Sequence, residues 1–147
     1  MEVVFREGSG KWSRYRKIVG EHRVKLIVDE LLSKGYNVNY FPVEANGVDI
    51  IASNNTHVLG IEVLNWNERW TLSVKRLKGM FENWDNLLEE LTSKGDKRKF
   101  QRVLVYSFHH NIKNVLPYLL MENVELWERG CQDIPEIKDE EIEAWIE

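Results

Sequence analysis

Two carboxylates sit in runs where carboxylates are costly. Asp49 lies in Gly47-Val48-Asp49-Ile50-Ile51 and Glu62 in Gly60-Ile61-Glu62-Val63-Leu64, each a short, apolar, strand-like stretch. Between them Ser53-Asn54-Asn55-Thr56 is a hairpin-turn signal. A two-residue tip at Asn55-Thr56 sets Asp49 directly opposite Glu62, with Cβ atoms about 4.5–5.5 Å apart. A tip at Asn54-Asn55 sets Asp49 opposite Gly60, with Glu62 next along. A one-residue change in loop length turns one of the two to the other face. Like charges side by side on a sheet destabilise it unless something compensates them. One compensator is a hard divalent cation, Mg²⁺ or Mn²⁺, which takes oxygen ligands and keeps several waters. A water whose pKa such a cation lowers can attack a phosphodiester. The other reading is a structural carboxylate pair, partly protonated or paired with a lysine.

The elements that must hold this pair follow from periodicity. Residues 13–34 read as a helix with Val24, Ile27, Val28 and Leu31 on its core stripe, Ser13 as N-cap and Gly35 as its stop. Residues 36–43 read as a strand, Ala45-Asn46-Gly47 as a turn, and 48–52 and 57–65 as the two strands of the hairpin. Residues 69–93 read as a long helix whose seam is Trp70, Val74, Leu77, Phe81, Trp84, Leu88 and Leu91, closed by Gly95. Its seam packs on the sheet in one reading and forms a dimer in the other. A strand at 101–107, a helix at 111–121 and a strand at 123–128 complete the chain. The order α-β-β-β-α-β-α-β predicts an α/β domain, with a mixed central sheet of about five strands and helices on both faces.

This order, with Gly47-Val48-Asp49 followed by Glu62-Val63-Leu64, resembles the restriction-endonuclease-like PD-(D/E)XK nuclease superfamily. Within it the pattern looks most like the small archaeal Holliday-junction resolvases and their relatives, over roughly residues 10–130. The resemblance implies a three-layer αβα fold and a Mg²⁺- or Mn²⁺-dependent endonuclease acting on DNA, branched or otherwise structured. It implies Asp49 and Glu62 as metal-binding and catalytic acids. A homodimer is implied too, since related resolvases act on two strands. Glu21, in Val19-Gly20-Glu21-His22-Arg23, fits the family's first-helix glutamate and is a further candidate metal ligand. Its other reading is a helix-surface ion pair.

The motif lysine is replaced by Leu64. Three outcomes are open. A lysine reaches in from the long helix, with Lys75 the first choice as catalytic residue and Lys78 the second. Asn65 substitutes if the strand is bulged. Or the fold is catalytically inactive and binds nucleic acid or a protein. Among other residues, Glu44 precedes the turn near the pair, and its plain reading is an exposed turn residue. His109 and His110 are adjacent and point in different directions, which disfavours a shared metal. Trp66 reads as a core or strand-end aromatic.

The 147 residues suit one domain, and 43% hydrophobic with 30% charged residues is a globular composition. No apolar run approaches the roughly 18–20 residues a bilayer span needs. The N-terminus lacks a signal-peptide order, which predicts a cytoplasmic protein without membrane contact. Cys131 is the single cysteine, so cysteine-based zinc and an internal disulfide are excluded. The net charge of −4 is unevenly spread. Residues 133–147 carry seven acids against one base, and residues 1–25 carry seven bases against three acids. This separates a nuclease-like domain at 1–132 from an acidic tail at 133–147. Lys11, Arg14, Arg16 and Lys17 are candidate nucleic-acid-binding residues around Trp12 and Tyr15, which could stack on bases. The plain alternative is a solvated helix start.

Overall fold

The computed structural model describes residues 10–40, 47–64 and 71–129, with side chains described from residue 20 onward. Glu44, Asn65, Trp66, Cys131, the acidic tail and the side chains of Lys11, Arg14, Arg16 and Lys17 lie outside the described residues.

The elements are α1 (Gly10–Ser33), β1 (Asn37–Tyr40), β2 (Ile50–Ser53), β3 (His57–Val63), α2 (Val74–Ser93), β4 (Lys99–Tyr106), α3 (Leu116–Met121) and β5 (Glu125–Glu128). A 3₁₀ turn at His109–Asn111 precedes α3. The five strands form one sheet in sequential order β1-β2-β3-β4-β5. The first three are an antiparallel meander, and β4 and β5 join parallel to β3.

Two apolar layers flank the sheet. Val24, Ile27, Val28 and Leu31 of α1 pack with Ile50, Ala52, Leu59, Ile61, Val103 and Val105 on one face. On the other face, Leu77, Met80, Trp84 and Leu87 of α2 and Leu119 of α3 pack with Leu64 and Leu104. Strand alternation produces this division, since successive side chains point to opposite faces. Both parallel connections, β3–α2–β4 and β4–α3–β5, run in the same direction along the sheet. Their right-handed preference therefore puts α2 and α3 on one face, and α1 covers the other. This is a mixed-sheet α/β domain with helices on both faces, compatible with three αβα layers.

Several boundaries differ from expectation. The helix α1 runs through Ser13 and is already helical at Gly10, the first described residue. Gly35, with φ +86°, supplies the left-handed turn after it. The helix α2 begins at Val74 because Ser73 caps it, its Oγ accepting the Arg76 N–H at 3.1 Å. Leu72 lies ahead of the cap and is buried. The helix expected at 111–121 is reduced to Leu116–Met121, with Pro117 in its first turn. Upstream, Asn111 is buried and its Oδ1 accepts the Phe108 N–H at 3.1 Å, which holds the 3₁₀ turn in place.

The seam of α2 is also rotated. Its buried residues are Leu77, Met80, Trp84 and Leu87, whereas Val74 and Leu88 are exposed. Gly60 explains the shift. A Cβ there would lie 3.1 Å from Leu87 Cδ2 and 3.2 Å from Phe100, so its absence lets α2 sit down on β3 with Leu87 inward. Trp84, fully buried, then donates its indole Nε1–H to the Gly60 carbonyl at 2.8 Å.

Candidate metal centre

The hairpin between β2 and β3 sets the site. Its pairs run from Ser53 with Val58 to Ile50 with Ile61, the first of the two registers allowed by the sequence. The tip is Asn55-Thr56, closed by the Asn54 N–H donating to the His57 carbonyl at 3.0 Å. Asn54 Oδ1 also accepts the N–H groups of Thr56 and His57, at 2.9 and 2.8 Å. These bonds leave the turn little freedom to slip, which fixes the pairing as far as Ile50 with Ile61, one pair short of Asp49 with Glu62.

The ladder gives way at the carboxylates. The Asp49 N–H donates to the Ile61 carbonyl at 3.1 Å. By the hairpin's alternation, the Val63 N–H would next pair with the Val48 carbonyl. Instead Asp49 Oδ2 accepts it at 2.8 Å. A side-chain oxygen thus replaces a backbone acceptor, and Asp49 is fixed where β2 and β3 part. Glu62, one residue earlier on β3, is buried on the α2 face. Asn83 of α2 donates its Nδ2–H to Glu62 Oε1 at 3.1 Å.

Each carboxylate therefore has one oxygen held by the protein. Asp49 Oδ1 and Glu62 Oε2 take no part in these two hydrogen bonds. Burial, and then the Asp49 charge, push the Glu62 carboxyl up to about 8. Burial also raises Asp49, opposed by the Val63 hydrogen bond and by Arg76. Arg76, in the first turn of α2, is the cation whose charge favours ionisation of both.

Two buried, mutually repelling carboxylates, each held by the protein through one oxygen, fit a hard divalent cation. Asp49 and Glu62 would hold it, with the remaining positions open to water or substrate oxygen.

The other sequence candidates are placed as follows. Glu21 is half-buried on α1, across the sheet from Glu62. Among the described residues no three His, Cys, Asp or Glu side chains gather at one point, so Glu21 is not brought to the pair. Lys75 and Lys78 are exposed, and neither perturbs either carboxylate. His110 Nε2 lies 3.1 Å from Thr71 Oγ1, a contact that ties the approach to α2 onto the loop after β4. Leu64 is fully buried with Val48, Leu72 and Leu77. The position a motif lysine would occupy is core.

Two residues of this site, Arg76 and Asn83, are absent from the sequence reading. Their signal is the spacing of seven on α2, which puts them two turns apart on one side of the helix. It emerges only when the buried stripe is phased through Met80 and Leu87.

No helix among the described residues is long and apolar enough to cross a membrane. No family model matches the sequence. Nor does a comparison with curated proteins return a match.

Proposed function

We propose that this protein is a Mg²⁺- or Mn²⁺-dependent DNA endonuclease of PD-(D/E)XK type, holding its cation with Asp49 and Glu62. The observation that carries the reading is the pair itself. Two buried carboxylates whose charges act on each other lower stability, and each is pinned through one oxygen. Such a cost is expected where a site is kept for function. When bound, the cation supplies charge for phosphate oxygens and a lowered pKa for the attacking water. The Val63 N–H orients Asp49 and the Asn83 amide orients Glu62, so both present fixed oxygens.

The backbone supports a nucleic-acid partner at this end of the sheet. The helix α1 leads by a tight turn into β1, which is parallel to β3. Its N-terminal end therefore lies at the carboxyl end of β3, where Asp49 and Glu62 are. Its 24 residues span about 36 Å, longer than the sheet is tall. The helical turns bearing Lys11, Arg14, Arg16 and Lys17 extend toward the side from which DNA would approach.

The second reading is a nuclease-fold module that binds nucleic acid or protein without cleaving. Its specific support is Leu64, buried where the motif has lysine. Incubation with labelled four-way junction, duplex and single-stranded DNA, with and without Mn²⁺, separates the two. Metal-dependent cleavage abolished in Asp49→Ala and Glu62→Ala is the expected result. Cleavage that persists in both variants refutes the site. Salt-dependent DNA binding without cleavage favours the second reading.

A further inference from the structure

The site has two acids on the sheet and no lysine on it, and a cation from a different element faces them. Arg76 is held by its backbone: its N–H bonds to the Ser73 cap at 3.1 Å, so its Cα is fixed in the first turn of α2. The position of α2 along β3 is fixed as well. Leu87 lies over Gly60, and Asn83 reaches Glu62. Four helical residues, about 6 Å, thus match two strand residues, about 6.6 Å, and the helix runs antiparallel to β3. Arg76 is seven residues before Asn83, about 10.5 Å further along the axis. That carries it past Leu64 to the open carboxyl end of β3, above Asp49. Its side chain is long enough to bend back over the gap between the carboxylates and solvent.

Leu64 explains why the charge comes from the helix. A lysine there would have to thread its stem through the cluster of Val48, Leu72 and Leu77, which Leu64 fills. The first turn of α2 covers that cluster, and Arg76 leaves this turn as an exposed side chain. The guanidinium also offers paired donors in a planar fork, which suits a phosphate better than an ammonium does.

We propose that Arg76 is the phosphate-binding cation of the Asp49–Glu62 site, contacting a non-bridging oxygen of the nucleic-acid phosphate from the first turn of α2. The proposal rests on the nuclease-site reading and assigns the charge that Leu64 removes from the strand. It has an internal check. Arg76 favours both carboxylates in their ionised form. For a metal, the same positive charge is repulsive. Removing it must weaken phosphate binding and strengthen cation binding, and general damage to the site would weaken both.

The test uses the full chain as wild type, Arg76→Ala and Arg76→Lys. Lys94→Ala serves as a control of equal charge change at the far end of α2. Mn²⁺ affinity is measured by calorimetry, and Ca²⁺-supported binding of a fluorescein-labelled four-way DNA junction by anisotropy. Mn²⁺-supported cleavage of the same junction is followed on gels. The expected result for Arg76→Ala is at least a tenfold loss of junction affinity and a fiftyfold loss of cleavage. Its Mn²⁺ affinity should equal or exceed that of wild type. Arg76→Lys should recover part of the loss, and Lys94→Ala should stay within twofold of wild type. Junction binding and cleavage by Arg76→Ala within twofold of wild type overturn the proposal and leave the carboxylate site standing. So does an equal loss in Lys94→Ala, or a parallel loss of Mn²⁺ and DNA binding. Failure of wild type to bind Mn²⁺ overturns the nuclease-site reading and this proposal with it. Wild type that binds Mn²⁺ and the junction without cutting still supports Arg76 if junction affinity falls in Arg76→Ala.

Discussion

Glu62 is the residue on which chemistry and stability meet. Its carboxyl ionises near 4.5 when free in water and near 8 in the fold, because burial and the Asp49 charge disfavour the anion. Between those values the folded protein holds a proton that the unfolded chain has released. Unfolding there is promoted by rising pH. Stability should therefore fall from about pH 4.5 to about pH 8 and then level off, with Asp49, also raised, adding in the same direction. One group contributes a slope of up to about 1.4 kcal/mol per pH unit. Urea unfolding at a series of pH values checks this, and Glu62→Gln should flatten the slope. That variant should be more stable than wild type at pH 8 without metal, because the amide has no charge to desolvate. A slope of the opposite sign would mean that Glu62 is stabilised as an anion in the metal-free fold.

Among the elements, α2 contributes most to the site. It supplies Asn83 to Glu62 and carries Arg76, whose charge acts on both carboxylates, and Trp84 fixes its height on β3. Trp84→Phe keeps an aromatic ring but removes the indole N–H that donates to the Gly60 carbonyl, which keeps its place in the β3–β4 ladder. Losing one such hydrogen bond costs about 0.5–1.5 kcal/mol, and lost packing adds to it. Thermal or urea unfolding of Trp84→Phe should show a loss of this size. Mn²⁺ affinity should also fall, since Asn83 is the next residue along. Unchanged affinity would show that Asn83 reaches Glu62 independently of the Trp84 anchor.

The hairpin was legible in the sequence because its determinants are local. Asn54 and the two-residue tip specify the register, and the register specifies which residues face each other. The phase of α2 was not legible. Val74, Leu77, Phe81, Trp84, Leu88 and Leu91 make a regular apolar row in sequence, but the helix turns to fill the space that Gly60 leaves on β3. That space is a property of two elements packed together, and neither sequence contains it alone. Arg76 and Asn83 were hidden for the same reason, and Lys75, one residue away, took their place in the reading.

At the scale of the whole molecule, the meander and the two parallel crossovers bring the Asp49–Glu62 gap, the start of α2 and the N-terminal end of α1 to one end of the sheet. The opposite end is closed by the hairpin tip and the Asp96–Arg98 ion pair, whose Arg98 also bonds the Asn54 carbonyl. The edge of the sheet is tied to α1 by Arg129, which meets both oxygens of Glu30 at 2.7 Å. The candidate site is thus confined to one end, and the remainder of the domain holds that end in register. The central claim is that Asp49 and Glu62 together hold a divalent cation. Calorimetric titration of the full chain with Mn²⁺ at pH 7.5, in wild type, Asp49→Asn and Glu62→Gln, tests it most directly. The account predicts saturable binding in wild type, accompanied by proton release because Glu62 must ionise to bind. It predicts at least a tenfold loss of affinity in each variant. No binding by wild type, or equal binding by all three, would contradict it.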